Sequence, residues 1–384
     1  MKIVYVIDSL ASKGGAERIL SDKMNYLSEH FGYDVSVITC YQDERETPNV
    51  YHLSTKVRQV NLRIPYYSQY RYRYPRRLLV KYTLYRQMCH DLAETIRQIN
   101  PDVLVGLGYF MGDVVSNIKC NARVVIESHD ARISAMPDQG LSRSTLSKLY
   151  MKFYRKRYFR QIDRNADVVV TLTNGDAEAW HKAKRVEVIP NFSVMPVAKL
   201  SSCEAKRVIS VGRLEWQKGY DMLLEAWEKV VTKFPEWRLD IFGSGTLRDD
   251  LERQISSCCI ANVSIHPFTS NISHEYSESS IIVASSRFEG FSLVLLEAFM
   301  HGVPGVAFDC PYGPADVIGN SKCGYLVENG NVLQLAEKIE QLIVDEQFRK
   351  GCSVAAVERA KFFDVHVIME RWRSLFEELA SQRP

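Results

Sequence analysis

An α/β protein made of two doubly wound, mostly parallel sheets is the architecture this sequence predicts, and three observations carry it. Short β-branched runs alternate with longer helical patterns along the whole chain. The alternation breaks once, after Pro190, in a stretch that holds Pro196 and several serines, and then restarts. The length of 384 residues suits two domains, each able to bury its own core.

Taken in order, the strand candidates of the first half are residues 3–7, 34–39, 102–107, 123–127, 167–172 and 186–189, runs such as Asp-Val-Ser-Val-Ile-Thr and Asp-Val-Val-Val-Thr-Leu. A helix is expected from the Gly14-Gly15 turn to about His30. Strands near 207–212, 238–242, 263–266, 281–284, 303–308 and 324–327 follow, with helices between them. Val367, Ile368, Trp372, Leu375, Phe376 and Leu379 mark a last helix at the 3.6-residue period. The expected division is 1–190 as an N-terminal domain, 191–204 as a linker, 205–363 as a C-terminal domain and 364–384 as a terminal helix. In such sheets ligands bind beyond the carboxyl ends of the strands, so two facing sheets predict a cleft between domains.

Composition narrows the class further. The chain is 46% hydrophobic and 25% charged, which excludes collagen-like and disordered proteins. Its nine cysteines are scattered without a C-x-x-C pair or zinc-like spacing, as expected of reduced thiols in a cytoplasmic protein. No apolar run is long enough for a membrane span, so any membrane contact is expected to be peripheral. The net charge of +3 conceals an asymmetry: residues 47–90 hold nine basic and no acidic residues, and 143–164 hold eight basic residues against Asp163. A basic face of this kind is directed at an anionic partner, whether a membrane surface, a nucleic acid or a phosphorylated ligand.

Four segments at strand ends have the composition of a binding site. Ser12-Lys13-Gly14-Gly15-Ala16-Glu17-Arg18 follows the first strand, where glycines let backbone N–H groups approach an anion and a helix N-terminus adds positive charge. It is equally a tight turn with no ligand. Gly212-Arg213-Leu214 and Lys218-Gly219 open the second half; Arg213 and Lys218 suit a pyrophosphate, or are two solvated loop charges. Ser-Ser-Arg-Phe-Glu289-Gly290-Phe291-Ser292-Leu293, running on to Glu297, places two carboxylates around a helix start. Carboxylates accept sugar hydroxyl bonds, and the amides from Gly290 to Leu293 suit phosphate oxygens. Neither G-x-G-x-x-G nor G-x-x-x-x-G-K-[ST] occurs, which disfavours a dinucleotide-dependent oxidoreductase.

The Glu289-x7-Glu297 pattern, with Gly212-Arg213-Leu214, Lys218-Gly219, Gly14-Gly15-Ala16-Glu17, Glu127-Ser-His129-Asp130, Ile189-Pro-Asn191, Phe242-Gly-Ser-Gly245 and Gly302-Val-Pro304, resembles the retaining glycosyltransferases of family four along essentially the whole chain. The resemblance implies the GT-B architecture of two facing Rossmann-like domains, with the active site in the interdomain cleft and the C-terminal helix packed back on the first domain. It also implies that Arg213 and Lys218 hold the donor pyrophosphate, helped by Gly14, Gly15 and the amides after Gly290. Glu297 is then expected on the ribose, Glu289 on hydroxyls of the transferred sugar, and His129 beside the donor sugar. A core imidazole is the alternative for His129. The base is expected against His266-Pro267-Phe268, where the family more often has Gly at the position of Pro267, so base identity stays open. Transfer with retention and without a metal or other cofactor is implied, since Arg and Lys would meet the charge on the leaving group.

The acceptor side is expected in the basic, tyrosine-rich segments. Arg71, Arg73, Arg76 and Arg77 interleave with Tyr, as do Lys152, Arg155 and Lys156, a mixture that favours a lipid headgroup layer. The expected acceptor is a saccharide on a polyprenyl diphosphate at the inner membrane face; a solvated basic face is the alternative. Charge and aromatics also permit RNA, but no RNA-binding motif is present and no nucleic-acid partner is expected. The function expected is transfer of a hexose or N-acetylhexosamine from a nucleotide sugar, UDP-linked, in bacterial surface-polysaccharide, capsule or lipopolysaccharide synthesis. The competing classes are a degenerate sugar-nucleotide-binding or membrane scaffold protein and a nucleotide-sugar epimerase. A phosphorylase would carry a cofactor lysine in its own context, which is not found.

Overall fold

The computed structural model describes residues 1–12, 14–43, 47–129, 131–132, 145–320 and 322–382, without the side chains at 145–152 and 154. It divides into two units, Met1–Leu172 with Ala177–Ile189 and Ile368–Pro384, and Thr173–Asp176 with Pro190–Val367.

The first unit holds a seven-stranded sheet of β1 (Lys2–Ile7), β2 (Asp34–Thr39), β3 (Arg58–Asn61), β4 (Val103–Leu107), β5 (Arg123–Ser128), β6 (Val168–Thr171) and β7 (Val186–Val188). Their order is β3-β2-β1-β4-β5-β6-β7, and every pairing is parallel. The second unit holds six parallel strands: β8 (Arg207–Val211), β9 (Arg238–Phe242), β10 (Val263–His266), β11 (Ile281–Ala284), β12 (Gly305–Asp309) and β13 (Gly324–Glu328), ordered β10-β9-β8-β11-β12-β13. Strand order reverses between β1 and β4 in one sheet and between β8 and β11 in the other. Those reversals open a crevice at the carboxyl edge of each sheet.

The central strands read as continuous apolar runs because helices cover both faces. Val4, Val6, Ile38, Leu104 and Ile126 of the first sheet pack with Met88, Leu92 and Ile96 of the helix Arg76–Ile99 and with Trp180. In the second unit Leu223, Leu224, Trp227, Val230 and Val231 line the inner face of the helix Tyr220–Lys233, three and four residues apart, against Val208, Ile241 and Val306. Each fully buried side chain of this size contributes about 1.5–3 kcal/mol.

Three details differ from the sequence expectation. The strand β3 is additional; it is a four-residue edge strand, Arg-Gln-Val-Asn, with no fully buried residue and so no apolar run to betray it. The stretch 191–204 is fixed in the second unit, with Cys203 buried and the Ser201 hydroxyl donating to the Ser279 carbonyl at 2.5 Å. In the last helix, Val365–Ser381, Val367 is exposed and Met369 takes its place among the buried residues, with Ile368, Trp372, Leu375, Phe376 and Leu379. That helix is tied to the first unit by Tyr33 donating to Glu377 at 2.8 Å and by a two-pronged Arg185–Glu378 pair at 2.5 and 2.9 Å.

Candidate functional site

In the second unit the loops that leave β8 and β11 lie on either side of the strand-order reversal and are pinned to each other. Gly219 has φ +63°, and a Cβ there would stand 2.1 Å from the Ser285 carbonyl oxygen. Only glycine permits that approach without displacing backbone. The Ser285 hydroxyl donates to the Lys218 carbonyl at 2.9 Å, and the Gln217 amide donates to the Phe288 carbonyl at 3.0 Å. Arg287 holds both Asp221 oxygens at 2.9 and 2.6 Å and stacks over Trp216. Asp221 is consequently held below the usual carboxylate range, its burial being outweighed by Arg287.

This scaffold brings Lys218 and Glu289 together. The Lys218 Nζ lies 2.6 Å from Glu289 Oε1, which also accepts from the Ser286 hydroxyl at 2.6 Å. Glu289 is further fixed through its backbone: its N–H donates to the Pro311 carbonyl at 3.0 Å, and the Tyr312 N–H returns to its carbonyl at 2.9 Å. Gly290 and Phe291 follow, and Ser292 is the N-cap of the helix Leu293–Met300. The Ser292 hydroxyl is buried and has no hydrogen-bond partner among the described residues, so it does not cap the helix in the usual way. Arg213 is exposed and donates to Gln217 at 3.2 Å.

Glu297 lies inside that helix and is buried, with the Tyr276 hydroxyl donating to it at 3.3 Å. Its carbonyl accepts from His301 Nδ1 at 2.7 Å, and the ring's Nε2 lies 2.7 Å from the Ser273 hydroxyl. Burial pushes the His301 pKa down, so this imidazole is a neutral structural tie. Phe268 is exposed beyond β10, beside His266, which stacks on Phe242 at 4.6 Å and bonds Asp240 at 3.0 Å.

In the first unit Gly14 is the N-cap of the helix Gly15–Glu29. The Ser12 hydroxyl donates to the Glu17 carboxylate, which lies over Gly14. A side-chain carboxylate thus already occupies this helix N-terminus, and burial together with Glu17 raises the nearby Asp8 to about 6. Lys13 of the same segment lies outside the described residues.

His129 follows β5, and its Nε2 is 2.9 Å from Glu127 Oε2. The same oxygen is 2.5 Å from the Nζ of Lys23, which sits 3.9 Å from the centre of the Trp372 ring. Burial alone would raise the Glu127 pKa, but Lys23 and His129 hold it below the usual range. Asp130 lies outside the described residues. Lys23, Trp372, Tyr276 and Ser286 carry no role in the sequence expectation. Lys23 was detectable, being a lysine on the apolar face of its helix among Ile19, Leu20, Met24 and Leu27. Tyr276 and Ser286 gave no such signal.

The basic segments form a tyrosine-rich surface. Arg71, Arg73 and Arg76 are exposed, Arg77 is half-buried over the Tyr70 ring at 4.3 Å, and Tyr70, Tyr74, Leu78, Leu79 and Tyr82 are exposed beside them. A cavity of about 180 Å³ opens here, lined among others by Tyr66, Lys81, Phe110, Asp113 and Arg157. Burial raises Asp113 to about 6 against the opposing charge of Arg157. Lys156 is exposed, whereas the Nε and Nη1 of Arg155 are shielded and have no hydrogen-bond partner among the described residues. The Lys152 side chain lies outside the described set. Among the described residues no helix is long and apolar enough to cross a membrane.

Residues 13–192 match the model described as Glycosyltransferase Family 4, and residues 197–359 match that for Glycosyl transferases group 1. The chain is 26% identical to an amylovoran biosynthesis glycosyltransferase of Erwinia amylovora, over 97% of this chain and 99% of that protein. It is 27% identical to an undecaprenol-diphosphate-glycan α-1,4-N-acetyl-D-galactosaminyltransferase of Campylobacter jejuni, over 99% of each. The crystal structure of a mutant of S. aureus TarM, in complex with Fondaparinux, α-GlcNAc-glycerol and UDP, superposes with a TM-score of 0.75 at 17% identity, over 98% of this chain and 100% of that one. With family models matching both halves of the sequence and the fold superposing along its length, the chain belongs to the family-four glycosyltransferases and has the GT-B fold.

Proposed function

We propose that this protein transfers a hexose or N-acetylhexosamine, with retention, from a UDP-sugar to a hydroxyl of a lipid-linked saccharide in bacterial polysaccharide or lipopolysaccharide synthesis. The observation that carries it is the Lys218–Glu289–Ser286 cluster, standing next to the Ser292 helix start at the carboxyl edge of the second sheet. A cation, a carboxylate and a helix N-terminus in one place match a sugar diphosphate, which presents hydroxyls and phosphate oxygens side by side.

In this proposal Lys218 and Arg213 take the diphosphate, with the amides from Gly290 to Leu293 and the Ser292 hydroxyl. Glu289 exchanges its bond to Lys218 for bonds from sugar hydroxyls, and Glu297, held by Tyr276, accepts from the ribose. Phe268 offers a face to the base. His129 orients the donor sugar, and the departing phosphate takes the acceptor proton on the face it leaves, so no carboxylate nucleophile and no metal are required. The Gly14-Gly15 turn assists only if Glu17 swings away. The UDP and saccharide ligands of the TarM structure and the undecaprenol-linked substrate named for the Campylobacter enzyme support the choice of donor and acceptor.

The acceptor lipid would be met by the Arg71, Arg73, Arg76, Arg77, Lys152, Arg155 and Lys156 surface, with the protein peripheral on the cytoplasmic face of the membrane. Two shielded guanidinium nitrogens on Arg155, without a partner among the described residues, favour an anionic ligand there. The test is UDP, GDP or ADP release from a panel of nucleotide sugars, with and without EDTA. Release from one UDP-sugar, unaffected by EDTA, is expected; nucleotide binding without turnover in the presence of lipid-linked acceptor would instead favour a degenerate scaffold.

A further inference from the structure

The helix Gly15–Glu29 turns Ile19, Leu20, Lys23, Met24 and Leu27 inward, so a lysine occupies a core position and is 1% exposed. An ammonium there requires compensation, because burial removes its hydration. Glu127, 2% exposed on β5, supplies the opposite charge at 2.5 Å, and the face of Trp372 from the C-terminal helix closes the other side at 3.9 Å. Tyr5 of β1 also packs against this group, its ring centre 5.7 Å from Lys23 Nζ and its hydroxyl buried without a partner among the described residues.

The pair is not self-contained. Glu127 presents the same oxygen, Oε2, to Lys23 and to His129 Nε2, while its Oε1 is buried without a partner among the described residues. An ionised carboxylate can only accept hydrogen bonds, so the proton of a neutral His129 ring must reside on Nε2. Nδ1 is then the acceptor nitrogen. A charged group that orients an imidazole and fixes its tautomer is a general device for setting what the ring can do.

We propose that Lys23 and Glu127 are positioning residues for His129, with Trp372 closing the relay: the buried cation keeps Glu127 ionised, and Glu127 fixes the ring with Nδ1 unprotonated toward substrate. This rests on the role proposed above for His129. It gives the C-terminal helix a task beyond packing, since its indole completes the environment of the cation that sets the ring.

The test uses the full-length protein and the UDP-sugar it turns over, with kcat followed from pH 5 to 9. Glu127→Gln removes a negative charge beside the ring, so imidazolium is less stable and the limb due to His129 should move to lower pH. Lys23→Met removes the cation that keeps Glu127 ionised, so the buried carboxyl takes up a proton, no longer stabilises imidazolium, and the limb should move in the same direction as in Glu127→Gln. Each shift should be about one unit or more. In Glu127→Gln, kcat should fall at least roughly tenfold while the donor KM changes less than about twofold. A pair that serves only stability would lower Tm without moving the limb in either variant. Ring ¹⁵N spectra of the wild-type protein, with the His129 signals assigned by their loss in His129→Gln, should show Nε2 protonated and Nδ1 bare, and this holds even if Glu127→Gln or Lys23→Met does not fold. An Nδ1-protonated ring, or wild-type rate and pH profile in Glu127→Gln, overturns the relay alone. Wild-type turnover in His129→Ala overturns the role of His129 and the relay with it.

Discussion

Lys218 sits 2.6 Å from Glu289, and that contact shapes what substitutions should do. Diphosphate charge grows as the sugar departs, so Lys218→Ala should lower kcat by roughly 10²–10³-fold, the scale of one lost transition-state contact, with a much smaller change in donor KM. Steady-state kinetics against the donor check this; equal losses in both parameters would mean that Lys218 only binds. Glu297→Ala should do the reverse, weakening donor binding with turnover at saturation little changed. The charged residues at strand ends were visible in the sequence because their spacing around glycines is unusual. The contacts that hold them, Tyr276 of the short helix Ile272–Ser277 on Glu297 and Ser286 of the same loop on Glu289, come from residues with no distinguishing pattern.

At the scale of elements, the two loops of the second unit act as one piece because Gly219 and Ser285 nearly touch. Gly219→Ala combines a left-handed backbone with a clash against a carbonyl oxygen, so it should cost more than about 1 kcal/mol and spread the loops. Thermal unfolding should show a lower Tm, and donor hydrolysis should fall further than the remaining folded fraction accounts for. An active, equally stable Gly219→Ala protein would remove the claim that this approach builds the site. Twelve of the strands were legible because buried parallel strands are runs of Val, Ile and Leu, as in Val103–Leu107 and Ile281–Ala284. The thirteenth, Arg58–Asn61, was not, since an edge strand half open to water has no reason to be apolar. The Gly14-Gly15 turn teaches the converse. Its composition suggests an anion site, and the anion found there is the chain's own Glu17.

The whole molecule is electrically divided, with its excess of positive charge in two segments of the first unit and exposed Tyr and Leu side chains among them. Each cation near an anionic surface contributes at most about 1 kcal/mol, so several must act together. Full-length protein should pellet with anionic liposomes at low salt and be released as salt rises. Combined charge reversal at Arg73, Arg76 and Arg77 should abolish pelleting and leave hydrolysis of free donor unchanged. Unaltered pelleting would assign the basic face to solvent. The central claim, a diphosphate-nucleotide site made by the β8 and β11 loops, is tested most directly by calorimetric titration of UDP into the protein in EDTA, alongside Glu297→Ala. Saturable binding that persists without divalent ions and weakens sharply in the variant is the result predicted. Absence of binding, or binding of equal strength in Glu297→Ala, would contradict it.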